Sequence, residues 1–232
     1  MSMLYAGILY ISGSYLYHFK PLAMQFFLRL KHWQLFILNF GIPMVLMMVI
    51  MINLFSKMIV TQQPDPTIVF SVFRFFPLIY LFSFGTLFCW YWAVNNRMQS
   101  LIPAALKMKI NLFRVFVIIP AVYFIVIMIG LQFLFTSGFP NANNPAPFMI
   151  GFMIIFPLHL FSMFCMFYCI YFTAKSIKTA ELQREVTFSD YMAEFFLIWF
   201  FFVGVWILQP RINKMASETY EPAKPGINPW EV

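Results

Sequence analysis

The chain alternates between long uncharged apolar runs and short clusters of charge. Trp33 to Ser56, Phe75 to Asn96, Val115 to Phe139 and Phe148 to Ala174 each carry no charge. Each reaches the roughly 20 residues needed to cross about 30 Å of hydrocarbon as a helix. These four runs are spans one to four. A fifth run, Phe195 to Leu208, is shorter, a length that suits a crossing helix or a re-entrant one. Crossing is preferred, because Thr187 and Asp190 form a T-x-x-D capping box ahead of the run, with Val186 and Tyr191 placed for a hydrophobic staple. A helix from Phe188 to Leu208 would then reach about 31 Å at about 1.5 Å per residue, and Pro210 should stop it. The stretch Met1 to Tyr17 is also uncharged but is interrupted by Gly7, Ser12, Gly13 and Ser14. Residues 1–23 are expected to be an upstream extension or a sixth span, and they lack the basic start of a signal peptide. The pattern predicts an all-α, polytopic transmembrane helical bundle of five spans, with four to six as bounds. It occupies residues 24–210, with a flexible tail at 211–232.

Composition turns this pattern into a statement about solvent. Apolar residues make up 62% of the chain and charged residues 10%, with a mean hydropathy of +0.80. Fifteen Lys and Arg with eight Asp and Glu cannot coat a water-soluble globule of this size, so the expected solvent is a lipid bilayer. The net charge of +7 does not point to nucleic acid, since the basic residues sit between apolar runs and follow membrane topology instead. Lys20, Arg29 and Lys31 precede span one; Arg97, Lys107, Lys109 and Arg114 join spans two and three; Lys175, Lys178 and Arg184 follow span four. Only Lys57 and Arg74 lie between spans one and two. The N-terminal side of span one is therefore expected to be cytoplasmic. Trp33, Trp90 and Trp92 then fall at that same interface, as an aromatic belt requires. A crossing fifth run would carry Arg211, Lys214 and Lys224 outside, whereas a re-entrant one would keep them in.

Candidate chemistry is sparse. Asp190 is expected to cap a helix N-terminus, and Glu181 and Glu185 to pair with Lys178 and Arg184 on a solvated helix face. Glu194 would lie about 10 Å inside the fifth helix, where a charge is costly and a partner such as Arg114 could neutralise it. His159, near the middle of span four, is the other intramembrane ionisable group. Pro43, Pro120 and Pro157 should kink their spans, while Pro77 falls in a first turn. The carbonyl freed by Pro43 belongs to Asn39, next to Gly41. Gly85, Cys89 and Ala93 form a small-residue stripe suited to close helix packing. Cys89, Cys165 and Cys169 all lie within apolar runs, and His159 is off the face that Cys165 and Cys169 share, so no metal site and no cofactor is expected. No nucleotide loop, zincin helix, nucleophile elbow or paired-carboxylate site is present in the sequence.

Two segments, SLIPAALKMKINLFRVFVIIPAVYF and FSDYMAEFFLIWFFFVGVWILQPRINKM, resemble a group of small polytopic bacterial membrane proteins to which no activity is attached. The resemblance implies membrane class and bacterial origin and carries over no functional residue. The expected function is non-enzymatic: a protein of the bacterial cytoplasmic (inner) membrane, acting as a subunit or accessory of a larger membrane assembly, for instance in transport. Its expected partners are the bilayer and other membrane-protein subunits. The alternative is a stand-alone permease or channel that uses Glu194 and His159, with Arg114 and Asn39 as supporting polar residues.

Overall fold

The computed structural model describes residues 22–61, 74–137, 146–217 and 219–220. Residues 1–21, the Asn/Pro-rich segment 138–145 and the tail from 221 lie outside these, so the expectations placed on them are not addressed by the fold. Among the described residues every regular element is a helix, and there is no strand. Short α1 (Leu22–Arg29) leads into α2 (His32–Phe36), which continues through a π turn (Ile37–Gly41) into α3 (Ile42–Thr61). Then come α4 (Phe76–Leu101), α5 (Ile110–Ser137), α6 (Ala146–Leu182), α7 (Phe188–Trp199) and α8 (Phe201–Ala216). Four helical stretches are long and apolar enough to cross a membrane: His32–Val60, Phe76–Leu101, Ile110–Phe133 and Gly151–Leu182. They coincide with spans one to four.

The prolines act according to position. Pro77 opens α4, where its missing N–H costs little. Pro43 follows directly on the π turn, which absorbs the missing hydrogen bond to Asn39 by widening the helix. The helical course of α5 and α6 continues on both sides of Pro120 and Pro157. The small-residue stripe does not form a close contact: Ala93 is fully buried, but Cys89 is exposed and nothing lies within 4 Å of where a Gly85 side chain would begin.

The fifth run differs most from expectation. It is not one helix but two, broken at Phe200, which ends α7 and starts α8 with φ −91° and ψ 57°. This is close to the inverse γ-turn, a conformation that reverses chain direction within one residue. Trp199 at the end of α7 packs on Phe167 of α6, with ring centroids 4.6 Å apart, whereas Tyr191 near its start lies 5.8 Å from Tyr171. α7 therefore runs back along α6. α8 returns: Phe201 packs edge-on against Trp90 of α4, and further along, Arg97 donates to the carbonyls of Met215 and Ser217. Both open ends of this hairpin lie where α4 and α6 finish. Pro210 does not stop α8, which runs on to Ala216. Contacts made by Gln209, Arg211 and Ile212 on either side hold the helix past a residue that costs roughly 3 kcal/mol in a helix interior.

Parallel packing of α4 and α6 gathers the polar residues at one end. Asn95 of α4 donates to Thr173 of α6 at 2.7 Å, Gln99 to Ser176 at 3.2 Å, and Gln183 to the Leu101 carbonyl at 3.2 Å. Every described Lys and Arg except Lys57 and Arg74 belongs to this end. At its centre Gln209, fully buried, accepts from Trp90 Nε1 at 2.9 Å and donates to the Phe27 and Leu30 carbonyls at 3.0 Å. Those carbonyls close the C-terminal end of α1; Leu30 also accepts from Asn213 Nδ2 at 2.9 Å, whereas the Phe27 carbonyl relies on Gln209. Gln209→Leu strands the Trp90 indole N–H and the Phe27 carbonyl in the core, while Leu30 keeps its bond from Asn213. It is expected to cost about 2–3 kcal/mol, read as a lower denaturation midpoint in detergent.

Away from this end the surface is apolar. Met44, Val45, Val49 and Ile52 on α3, Val122, Val126 and Ile129 on α5, and the run from Phe152 to Leu160 on α6 are exposed. A contiguous surface of this kind is solvated by lipid rather than water.

Candidate functional site

α6, α7 and α8 converge on a cluster of four charges. Glu181 sits in the last turn of α6, Glu194 in the second turn of α7 and Arg211 beyond the middle of α8. Arg211 donates from Nε and Nη2 to Glu181 Oε1 at 2.9 and 2.7 Å, and from Nη2 to Glu181 Oε2 at 2.6 Å. The same Nη2 reaches Glu194 Oε1 at 2.7 Å. Lys178 completes the set, 3.3 Å from Glu194 Oε1 and 3.6 Å from Glu181 Oε2. Both carboxylates are essentially buried, 1% and 2% exposed, and the two charges of each sign cancel. Glu194 Oε2 is buried without a hydrogen-bond partner, so the two oxygens of this carboxylate are unequal. A guanidinium held against two buried carboxylates makes charge-assisted bonds to both, and it ties three helices at one point.

The cluster overturns two expectations. Glu194 does not pair with Arg114, which instead donates to Asn96 at 3.0 Å and Asn111 at 3.4 Å and lies over the Trp92 ring. Glu181 is not on a solvated face: the Lys178 pairing is present, but α8 covers it, and Glu185 lies past the end of α6. Spacing within α6 cannot reveal Arg211, which arrives from the far arm of the hairpin. The signal available was the tally of basic residues, which favours returning Arg211 to the side that holds the others.

Asp190 caps α7 as its position predicts. The Thr187 N–H donates to Asp190 Oδ2 at 2.8 Å, and Arg184 bonds both carboxylate oxygens, at 2.9 and 3.3 Å. The Arg184 guanidinium, followed by the Thr187 N–H, holds the Asp190 carboxyl well below the usual carboxylate range. A carboxyl lowered by folding adds stability above its unfolded pKa of about 3.9 and loses it as pH falls toward the folded value. Asp190→Asn is therefore expected to weaken amide-exchange protection at the start of α7 at neutral pH. The difference from wild type should shrink below about pH 4; a difference that stayed constant with pH would assign the effect to packing instead.

The other sequence candidates lie elsewhere. His159 is in the middle of α6, its Nδ1 3.1 Å from the Tyr123 hydroxyl of α5. Lys178, the partner of Glu194, is about 28 Å further along α6 at about 1.5 Å per residue, so His159 and Glu194 do not share a site. Asn39 is buried and donates to the Ser83 carbonyl at 3.4 Å, fastening the π turn to α4. None of the four candidates touches another among the described contacts. No described group of three or more His, Cys, Asp and Glu residues is placed to hold a metal ion.

The fold and site define an all-helical membrane protein with four helices able to span, and a packed-in hairpin closed by a buried charge cluster. Comparison with models of known families, with curated sequences and with solved structures finds no match.

Proposed function

We propose that this chain is a non-enzymatic, multi-pass protein of a bacterial cytoplasmic membrane, acting as a subunit or accessory of a larger membrane assembly, with transport one such setting. The observation that carries this is the first spanning helix. After the Asn39 contact it keeps Leu54 buried but turns most of its length outward, and only 11% of its apolar window is buried. That exposed length carries Asn53 among Val49, Ile52 and Phe55; its carboxamide nitrogen donates to the Val49 carbonyl of its own helix at 2.8 Å, which leaves its second N–H and its oxygen for a neighbour. An amide on a hydrocarbon-facing helix is better placed against another protein helix than against lipid.

In this reading the hairpin enters from the cytoplasmic side and returns to it, giving four crossings. Among the described basic residues only Lys57 and Arg74 then stand on the far side, as the positive-inside rule favours. The resemblance to small polytopic bacterial membrane proteins supports the choice of membrane. A photo-crosslinker at Asn53 should capture one defined partner subunit in native membranes, while one at Phe156 should meet only lipid. A stable monomer in mild detergent, with no adduct from either position, would overturn the subunit role.

The rival, a stand-alone permease built on Glu194 and His159, needs two residues that do not meet, because Lys178, the partner of Glu194, is about 28 Å along α6 from His159. Replacing both with Gln and measuring flux in reconstituted vesicles tests it, and unchanged flux removes it.

A further inference from the structure

A cavity of about 350 Å³ opens between α4, α5, α6 and the tip of the hairpin. Its walls are aromatic: Phe84 and Phe124 pack at 4.2 Å on one side and Phe167 and Trp199 at 4.6 Å on the other. Into this apolar space face Tyr123 and His159, hydrogen-bonded to each other. The size, the apolar walls and the few converging polar groups are those of a small-molecule site.

Depth restricts what can enter. His159 lies about 15 Å along α6 from Met149, and Tyr123 about 20 Å from either end of α5, so the pair sits near the middle of a hydrocarbon layer about 30 Å thick. Leu158, Leu160 and Phe161, beside His159, are exposed to lipid. The occupant therefore arrives dissolved in the bilayer. The ester carbonyls of phospholipids stay at the interface, too far from the pair to reach it.

Hydrogen-bond counting restricts the chemistry. A neutral imidazole carries one N–H and the tyrosine one O–H. If the hydroxyl donates to Nδ1, the Nε2 proton is left over; if Nδ1 donates, the hydroxyl proton is left over. Either tautomer leaves one donor, and neither residue makes another hydrogen bond among the described contacts. An unspent donor in hydrocarbon is costly and has no water to turn to. We propose that this cavity binds a lipid-soluble quinone-class ring: flat enough to lie between the aromatic walls, uncharged, and bearing a ring carbonyl that accepts the remaining proton of the Tyr123–His159 pair. Binding alone is assigned, with no electron transfer. It stands independently of the subunit role, since a monomer could carry it equally well.

The probe is a decyl-substituted benzoquinone added to the full chain in phosphatidylcholine nanodiscs. Saturable quenching of tryptophan fluorescence is expected, and it should diminish in Trp199→Phe, which removes the reporter at the cavity wall. His159→Leu should weaken binding about tenfold, the worth of one well-placed hydrogen bond. Decylbenzene, which lacks the carbonyls, should compete at least about tenfold less well. The infrared carbonyl stretch of the bound quinone should shift to lower frequency in the wild-type protein, a readout that does not depend on any variant folding. Absence of saturable quenching would overturn the proposal. Equal competition by decylbenzene with an unshifted carbonyl band would also overturn it, marking the cavity as a cleft for hydrocarbon chains.

Discussion

Arg211→Leu is expected to destabilise the protein by about 3–5 kcal/mol, the cost of removing one partner from a buried ion network. Arg211 supplies the shortest contacts to both Glu181 and Glu194, and both carboxylates lie almost out of solvent. Without it, two negative charges remain against Lys178 alone, whose contacts are longer at 3.3 and 3.6 Å. The loss should appear as a lower denaturation midpoint in detergent and as faster proteolysis within 188–216, because α8 is released. Converting Glu181 and Glu194 to Gln in the Arg211→Leu background should recover a large part of the loss, since the penalty comes from unpaired buried charge and not from missing attraction. Lys178 tolerates the change because its stem can carry the ammonium out to water. An Arg211→Leu protein as stable as wild type would show that α8 does not return to α6.

Gly204→Ala has the second largest expected effect, and its sign distinguishes the two shapes of the fifth run. In the hairpin, a Cβ on Gly204 would overlap the backbone carbonyl of Leu197 in the last turn of α7. A backbone neighbour cannot swing aside as a side-chain tip can, so the arms must separate, at a cost of about 3 kcal/mol or more, the upper end for overpacking. In a single crossing helix the same change would remove a helix-weakening glycine and stabilise by up to about 1 kcal/mol. Gly85→Ala and Gly130→Ala serve as controls, because nothing stands within 4 Å of either new methyl group. Thermal unfolding of the three variants side by side decides between a loss and a gain at residue 204.

Why the hairpin was not legible is visible in FSDYMAEFFLIWFFFVGVWILQP. The break falls at Phe200, between Trp199 and Phe201, with no proline, asparagine or glycine at the turn itself. The residue that permits it, Gly204, stands a full turn later, where its local meaning is only a weak spot in a helix. The capping box at Thr187 and Asp190 was legible because both its partners lie within one turn. Likewise the π turn ahead of Pro43 follows from chemistry local to that proline. Glu194 stood out as a charge in an apolar run, whereas Arg211 and Glu181 looked like ordinary basic and acidic residues near helix ends.

The order of residues by itself determined the four helices long and apolar enough to span a membrane and the gathering of the basic clusters at one end, because hydrocarbon length and backbone hydrogen bonding are settled within each segment. Only the tertiary structure decided that the fifth run folds back, that Arg211 closes on Glu181 and Glu194, and that Tyr123 meets His159 across two helices. Those contacts join residues far apart in the chain, and their energies depend on burial that no single segment possesses until the helices have packed.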